Sequence, residues 1–288
     1  MKKLFFVLVL LWLVGCEAGA ESIIVSQEKI DVPQTTHSET TETHRFTYLS
    51  DGLEVVGYMV KPKEVDKELP LLIYNRGGNQ ELGKINDQTL ATYLSYWANK
   101  GYIVLASQYR GNDGGEGKEE YGGSDVNDVL NLARVAEEIP NVDEDNTVMV
   151  GKSRGGMMTY LAIKNEMELK AAAIVAGPTD LTLGFDNRGA GMKRMMIDLI
   201  GAPSDNPEAY KDRSAVYWPD EIDVPTLILH GENDWRVSVE RARKLSEKLS
   251  EVNADYEYIE YENDDHDLSN HSEEYKEKVH QWFQKYID

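Results

Sequence analysis

The chain has 288 residues, of which 41% are hydrophobic, and a formal net charge of -21 at pH 7. This length is near the limit for one hydrophobic core, and the apolar content excludes both an intrinsically disordered chain and a protein with many membrane spans. A charge of this sign repels phosphate backbones, so no nucleic acid is expected as a partner.

The amino terminus has the pattern of a secretory signal. Two lysines precede an apolar run from Leu4 to Val14, which is too short for a stable bilayer span. The run ends in Leu13-Val14-Gly15-Cys16, which resembles the bacterial lipobox, and Cys16 is the only cysteine. The resemblance implies removal of residues 1–15 and diacylation of Cys16, which would anchor an extracytoplasmic protein in the bacterial cell membrane. The alternative is an ordinary secretory signal with an incidental cysteine.

Residues 16–44 are predicted to be a polar tether, because they are rich in Ser, Thr and Glu and lack sustained periodicity. A globular domain is expected over residues 45–288. It opens with two β-rich runs, Arg45 to Leu49 and Leu53 to Lys61, which are joined by the hairpin signal Ser50-Asp51-Gly52.

Beyond this hairpin, short apolar runs alternate with segments of helical spacing. The predicted strands are Leu71 to Asn75, Tyr102 to Gln108, Thr147 to Gly151, Ala171 to Ala176, Thr226 to His230 and Tyr256 to Tyr261. The predicted helices are Gln88 to Lys100, Val126 to Ile139, Gly155 to Asn165, Val239 to Val252 and Glu273 to Tyr286. The alternation predicts an α/β fold, with a mostly parallel central sheet and helices on both faces. Residues 181–220 interrupt it and are predicted to form a small helical lid over the carboxyl edge of the sheet.

A candidate nucleophile lies between a predicted strand and a predicted helix. Gly151-Lys152-Ser153-Arg154-Gly155 has the Gly-x-Ser-x-Gly pattern of a nucleophile elbow, a sharp turn that exposes the serine hydroxyl. The backbone N–H of Arg154, at the start of the helix, is expected to face an oxyanion. A plain turn between strand and helix is the alternative for this segment.

A serine needs a general base, and the base needs an acid that orients it. Of six histidines, His266 follows the strand Tyr256 to Tyr261 and is the predicted base, with His271 as the competitor. Asp234 follows the strand Thr226 to His230 and is the predicted acid, with Asp180 as the rival. The chain order Ser, Asp, His is that of α/β-hydrolases.

Two glycines and three arginines complete the predicted site. Gly77 and Gly78 follow an early strand, and their N–H groups are candidates for the oxyanion hole. Arg76, Arg110 and Arg154 lie at the same edge of the sheet. They either pair with local carboxylates such as Asp113 or Glu116, or bind a substrate carboxylate.

The order and spacing of these motifs carry a family resemblance. From about residue 45 to residue 287 the chain resembles the catalytic domain of prolyl-oligopeptidase-type serine peptidases, within the α/β-hydrolase superfamily. The segments that carry the resemblance are Arg76-Gly77-Gly78-Asn79, Tyr109-Arg110-Gly111 with Gly114 to Gly117, Asp125 to Val129, Gly151 to Gly156, His230 to Val237 and His266. The chain departs from the family at Arg76, where the family often has His or Tyr, and a tyrosine hydroxyl at that position can donate to the oxyanion.

The predicted function is that of a secreted, lipid-anchored serine hydrolase. It would form an acyl-enzyme on Ser153 and release it with water activated by His266, a chemistry that needs no cofactor and no metal. Small peptides are the favoured substrates, because the resemblance points to a peptidase. A carboxylesterase acting on small esters is the alternative, and a catalytically silent surface-binding protein on the same scaffold is an alternative of another class.

Overall fold

The computed structural model describes residues 22–287, and the strands in these residues form one nine-stranded sheet. Its strands within these residues are β1 (Ile24–Ile30), β2 (Thr41–Ser50), β3 (Leu53–Pro62), β4 (Leu69–Asn75), β5 (Ile103–Ser107), β6 (Val142–Lys152), β7 (Ala171–Val175), β8 (Thr226–Gly231) and β9 (Tyr256–Tyr261). They lie in the order β1-β2-β3-β5-β4-β6-β7-β8-β9. The first three pairs of neighbours are antiparallel and the other five are parallel.

Helices cover both faces of this sheet. The α-helical segments are α1 (Asp87–Thr89), α2 (Ser95–Asn99), α3 (Val126–Ala136), α4 (Arg154–Lys164), α5 (Leu181–Asp186), α6 (Ala190–Ile200), α7 (Pro207–Asp212), α8 (Val239–Glu251) and α9 (Ser272–Gln284). A π-helical turn, Leu90–Leu94, joins α1 to α2.

Successive residues of the central strands pack into opposite cores. In β4, Leu71 and Ile73 belong to one hydrophobic core and Leu72 and Tyr74 to the other. Because side chains alternate along a strand, both faces of the sheet are buried, and the strand reads as a continuous apolar run. The predicted α/β-hydrolase fold class is confirmed.

The expected tether needs a correction. The structure places β1, Ile24–Ile30, within residues 16–44, and β1 pairs with β2 in the same sheet. Ile23 is 3% exposed, and its N–H donates to the Glu138 carboxylate at 2.7 Å. The domain therefore includes residues that precede Arg45. The predicted signal segment 1–15 and Cys16 lie outside the described residues.

Residues 181–220 form helices beyond the carboxyl end of β7. The segment contains α5, α6 and α7, followed by a 3-10 turn at Ala215–Tyr217. Its position agrees with the helical insertion that the sequence predicts. In the part of the chain from residue 22 to 287, no helix combines the length and apolar character needed to cross a bilayer.

Candidate active site

Ser153 lies in a sharp turn between β6 and α4. Its backbone has φ 54° and ψ -125°, a conformation that non-glycine residues rarely adopt. The flanking glycines permit the turn: a Cβ on Gly151 would lie 2.2 Å from the carbonyl oxygen of Gly155, and one on Gly155 would lie 1.8 Å from that of Asn75. The Gly-x-Ser-x-Gly pattern is therefore a consequence of close backbone packing, which presents the serine hydroxyl to the cavity.

The structure brings the three predicted catalytic side chains into one hydrogen-bonded chain. His266 Nε2 lies 2.9 Å from Ser153 Oγ, and His266 Nδ1 lies 2.7 Å from Asp234 Oδ2. The other carboxylate oxygen of Asp234 accepts the backbone N–H groups of Arg236 and Val237, both at 2.8 Å. These two bonds fix the carboxylate, which in turn fixes the imidazole.

The rival residues lie in other contacts. Asp180 accepts the N–H of Leu183 at 2.9 Å as the N-cap of α5, and it pairs with Lys244 at 3.1 Å. His271 Nδ1 pairs with Asp264 at 2.7 Å. Neither rival contacts Ser153 or His266, so the geometry favours Asp234 and His266.

A second histidine supports the acid. His230 is fully buried, and its Nε2 lies 2.8 Å from the carbonyl oxygen of Val237 and 3.1 Å from Asp234 Oδ2. Because the carbonyl can only accept, His230 carries its proton on Nε2. Burial opposes ionisation of Asp234, but hydrogen bonds from His230 and His266 outweigh it and hold the pKa of this carboxyl well below its usual range.

Backbone N–H groups beside Ser153 are free to receive an oxyanion. A Cβ on Gly77 would lie 3.1 Å from Ser153 Cβ, so the loop after β4 touches the nucleophile. Arg154 is the first residue of α4, and its N–H has no acceptor within the helix. Gly78 has φ 75°, and a Cβ there would lie 2.0 Å from the carbonyl oxygen of Leu82, so the loop requires glycine at this position.

The structure contradicts the interpretation of Arg76 as a substrate ligand. Its side chain is 1% exposed and donates to the carbonyl oxygens of Gln108 (2.8 Å), Gln80 (3.0 Å) and Gly77 (3.1 Å). Arg76 thus holds the loop that carries the oxyanion candidates, instead of facing the substrate.

Arg110 is also structural. It is 5% exposed, and its guanidinium binds Asp128 and Asp51, both at 2.8 Å. The interpretation as a substrate ligand is therefore wrong. The alternative, pairing with local carboxylates, is confirmed for Arg110, but its partners are Asp128 and Asp51 instead of the suggested Asp113 or Glu116.

The Arg154 side chain forms a buried ion-pair network. It is 1% exposed and contacts Glu119 at 2.8 Å and Asp125 at 2.5 Å. The guanidinium also lies over the rings of Tyr109 and Tyr121, at 4.8 and 4.9 Å from their centroids. Its role is to secure the start of α4.

A cavity of about 500 Å³ opens in front of the triad. Ser153 and His266 line it, together with Tyr121 and two arginines, Arg188 and Arg236, that the sequence analysis missed. Arg236 follows Asp234 in the same loop, and this position was an available signal. Arg188 lies in the 181–220 insertion, where no pattern distinguishes it from other charged residues.

Comparison with known proteins identifies relatives of this chain. Residues 88–288 match the model of the prolyl oligopeptidase family. The uncharacterized peptidase YtmA of Bacillus subtilis is 34% identical over 233 residues, which are 80% of this chain and 86% of that protein. The dipeptidyl-peptidase 5 of Porphyromonas gingivalis is 27% identical over 81% of this chain, which spans only 35% of that longer protein.

Solved structures share the fold. The acylaminoacyl peptidase of Pyrococcus horikoshii superposes with a TM-score of 0.74 at 20% identity, over 86% of this chain and 42% of that one. A puromycin-hydrolyzing peptidase of Mycobacterium tuberculosis gives a TM-score of 0.73 at 20% identity, over 88% of this chain and 40% of that one.

The topology of the sheet and the nucleophile elbow at Ser153 together define a serine hydrolase of the α/β-hydrolase fold. Within that class, the chain belongs to the prolyl oligopeptidase family of serine peptidases.

We expect Arg154→Gln to lower the free energy of unfolding by about 3–5 kcal/mol, because it removes the nearest cation from two buried carboxylates, Glu119 and Asp125. Urea denaturation against the wild type measures this loss. Arg134→Gln, at an exposed arginine of α3, is the matched control and should stay within about 0.5 kcal/mol. Wild-type stability of Arg154→Gln would contradict the structural role.

Proposed function

We propose that this serine peptidase cleaves small peptides through an acyl-enzyme on Ser153. The observation that carries the proposal is the unbroken chain of hydrogen bonds, 2.9 Å from Ser153 to His266 and 2.7 Å from His266 to Asp234, at the wall of a cavity. A volume of about 500 Å³ is in the range of sites for small ligands and suits a few peptide residues.

Each residue has a defined part in this reaction. His266 Nε2 accepts the Ser153 proton as Oγ attacks the carbonyl carbon, and it returns the proton to the leaving amine. The N–H groups of Gly77 and Arg154 stabilise the oxyanion. Water then attacks the acyl-enzyme with His266 again as base, which restores the free serine. Asp234 stays ionised and stabilises the imidazolium.

Ser153→Ala should reduce peptide turnover by about 10⁶-fold while the protein remains folded, because the residue is small and the elbow backbone is unchanged. Peptidyl-aminocoumarin hydrolysis measures the rate, and a fluorophosphonate probe should label the wild type at this serine only. Circular dichroism checks the fold. Turnover near the wild-type rate would reject the mechanism. A wild type that hydrolyses esters but no peptides would favour the carboxylesterase alternative.

Asp234→Asn should reduce kcat by about 10⁴-fold, because the amide favours the wrong histidine tautomer. Since the pKa of Asp234 is held below its usual range, its carboxylate persists as the pH falls. Asp180→Asn is the matched control and should keep the wild-type rate. A crippled Asp180→Asn would reassign the acid.

We propose further that the mature protein is anchored outside the cytoplasm through acylated Cys16. The support is the segment Leu13-Val14-Gly15-Cys16 behind a basic, apolar leader. Two acyl chains provide stable anchoring, whereas one chain binds only reversibly.

Cys16→Ser should move the protein from the membrane fraction to the medium, or leave it as an unprocessed precursor. Metabolic labelling with palmitate and cell fractionation measure the change, with Ser153→Ala as a control that should stay acylated. Specific activity of the Cys16→Ser protein should equal that of the wild type. Palmitate label that persists in Cys16→Ser would refute the anchor.

A further inference from the structure

The catalytic cavity contains a positive charge that the described residues do not neutralise. Arg188 is half-buried and lines the cavity with Ser153. Within residues 22–287 its guanidinium makes no hydrogen bond and no ion pair. The other cations of the lining have partners: Lys152 binds Asp267 at 3.0 Å, Arg154 binds Glu119 and Asp125, and the guanidinium of Arg236 lies over the ring of Trp235, 5.1 Å from its centroid. Arg188 is thus available to an anion that enters from outside.

A second arginine, Arg241, is buried against α5, the helix that ends shortly before Arg188. Arg241 is 2% exposed, and its Nε and Nη1 have no hydrogen-bond partner among residues 22–287. A Cβ on Gly184 would lie 2.9 Å from Nη1, which places the guanidinium against α5. Its carbonyl accepts Thr179 Oγ1 at 2.8 Å, so the main chain is fixed. Unpaired buried donors are costly, and most such groups in proteins have a partner.

Tyr121 lines the cavity with Arg188, and the positive charges of both arginines act on its hydroxyl. Burial raises the pKa of the Tyr121 hydroxyl, and the positive charges of Arg154, Arg188 and Arg241 oppose that rise. Burial and the like charge of Arg188 lower the pKa of Arg241. Asp180 is close enough to act on Arg241, but its two oxygens already bind the N–H of α5 and a lysine of α8. Arg188 and Arg241 are therefore close enough to repel each other, and Asp180 and Asp234, the carboxylates that act on Arg241, both have other hydrogen-bond partners.

We propose that Arg188, reinforced by the charge of Arg241, binds a substrate carboxylate next to the scissile bond, so that the enzyme prefers peptides with an Asp or Glu side chain or a free carboxyl terminus at that position. The inference rests on the proposed peptidase function. A carboxylate is the anion that peptides carry, and a guanidinium binds it with two parallel, charge-assisted hydrogen bonds. The chain has a net charge of -21, so carboxylates are abundant, and yet none of them pairs with Arg188 among the described residues.

Matched fluorogenic peptides test the proposal. One series varies Glu, Gln, Asp and Asn on the acyl side of the scissile bond, a second series varies them on the leaving side, and a third compares free with amidated carboxyl termini. The wild type should prefer the acid over its amide in one series, which identifies the source of the carboxylate. Arg188→Gln should lower kcat/KM for that acidic substrate by roughly 10- to 100-fold and for its amide twin by less than about twofold.

Two further variants separate charge from structure. Arg188→Lys should keep most of the acid preference, because it keeps the charge. Arg194→Gln removes an exposed arginine of α6 and should leave both members of each pair unchanged. Equal losses for acid and amide in Arg188→Gln, or a wild type without acid preference in every series, would overturn the proposal. If the wild type cleaves none of these peptides, the proposed peptidase function is refuted, and these substrates do not test the carboxylate site.

A binding measurement tests the carboxylate site even if the wild type cleaves no peptide. N-acetyl-aspartate should slow fluorophosphonate labelling of wild-type Ser153, whereas N-acetyl-asparagine amide, which carries no carboxylate, should not, and Arg188→Gln should remove the protection. This result needs no peptide cleavage, so it would support the carboxylate site even on an esterase. Equal labelling rates with and without N-acetyl-aspartate in the wild type would refute the site.

Discussion

The close approach of backbones around Ser153 is the constraint on which the site depends. Gly155 packs so near Asn75 that a Cβ would lie 1.8 Å from its carbonyl oxygen, and Gly77 touches Ser153 from the other side. Strands β4 and β6 are neighbours in the sheet, so their carboxyl ends deliver both loops to one point. Because this packing leaves no room for side chains, the nucleophile and the loop of the oxyanion candidates keep a fixed geometry before substrate arrives.

Buried charge secures those two loops. Glu119 lies between Arg154, at 2.8 Å, and Arg76, at 4.0 Å, and both guanidinium groups lie over Tyr109. Arg154 begins α4, while Arg76 holds the carbonyl of Gly77, so one carboxylate links the elbow to the oxyanion loop. Such networks are stable only when every member is paired, because each unpaired ion would retain its full desolvation cost. Arg76 and Arg154 therefore stabilise the elbow and the oxyanion loop, and their guanidinium groups are not available to a substrate carboxylate.

The sequence predicted the sheet and the residues of the triad because their signals are local. Apolar runs mark the buried central strands, and Ser153, Asp234 and His266 each follow such a run. The strand β1 carries no such signal: Ile24–Ile30 is mostly exposed along its length, and its place in the sheet comes from pairing with β2. The arginine partners were likewise out of reach, since Glu119 is separated from Arg154 by 35 positions and only the fold brings them together.

The proposed carboxylate site has to act against the field of the whole protein. A net charge of -21 repels an acidic peptide at long range, but salt screens that repulsion beyond about 8 Å at physiological ionic strength. Inside the cavity the distances are short and water is partly displaced, so Arg188 and Arg241 act with much less screening. Repulsion slows encounter, whereas the local pair of guanidinium groups governs discrimination once the peptide has entered. Specificity is a ratio of transition-state stabilities. The neutral amide substrate is not repelled by the protein's net charge, but it also forms no ion pair with Arg188. The preference for the acidic substrate is therefore determined by contacts within the site.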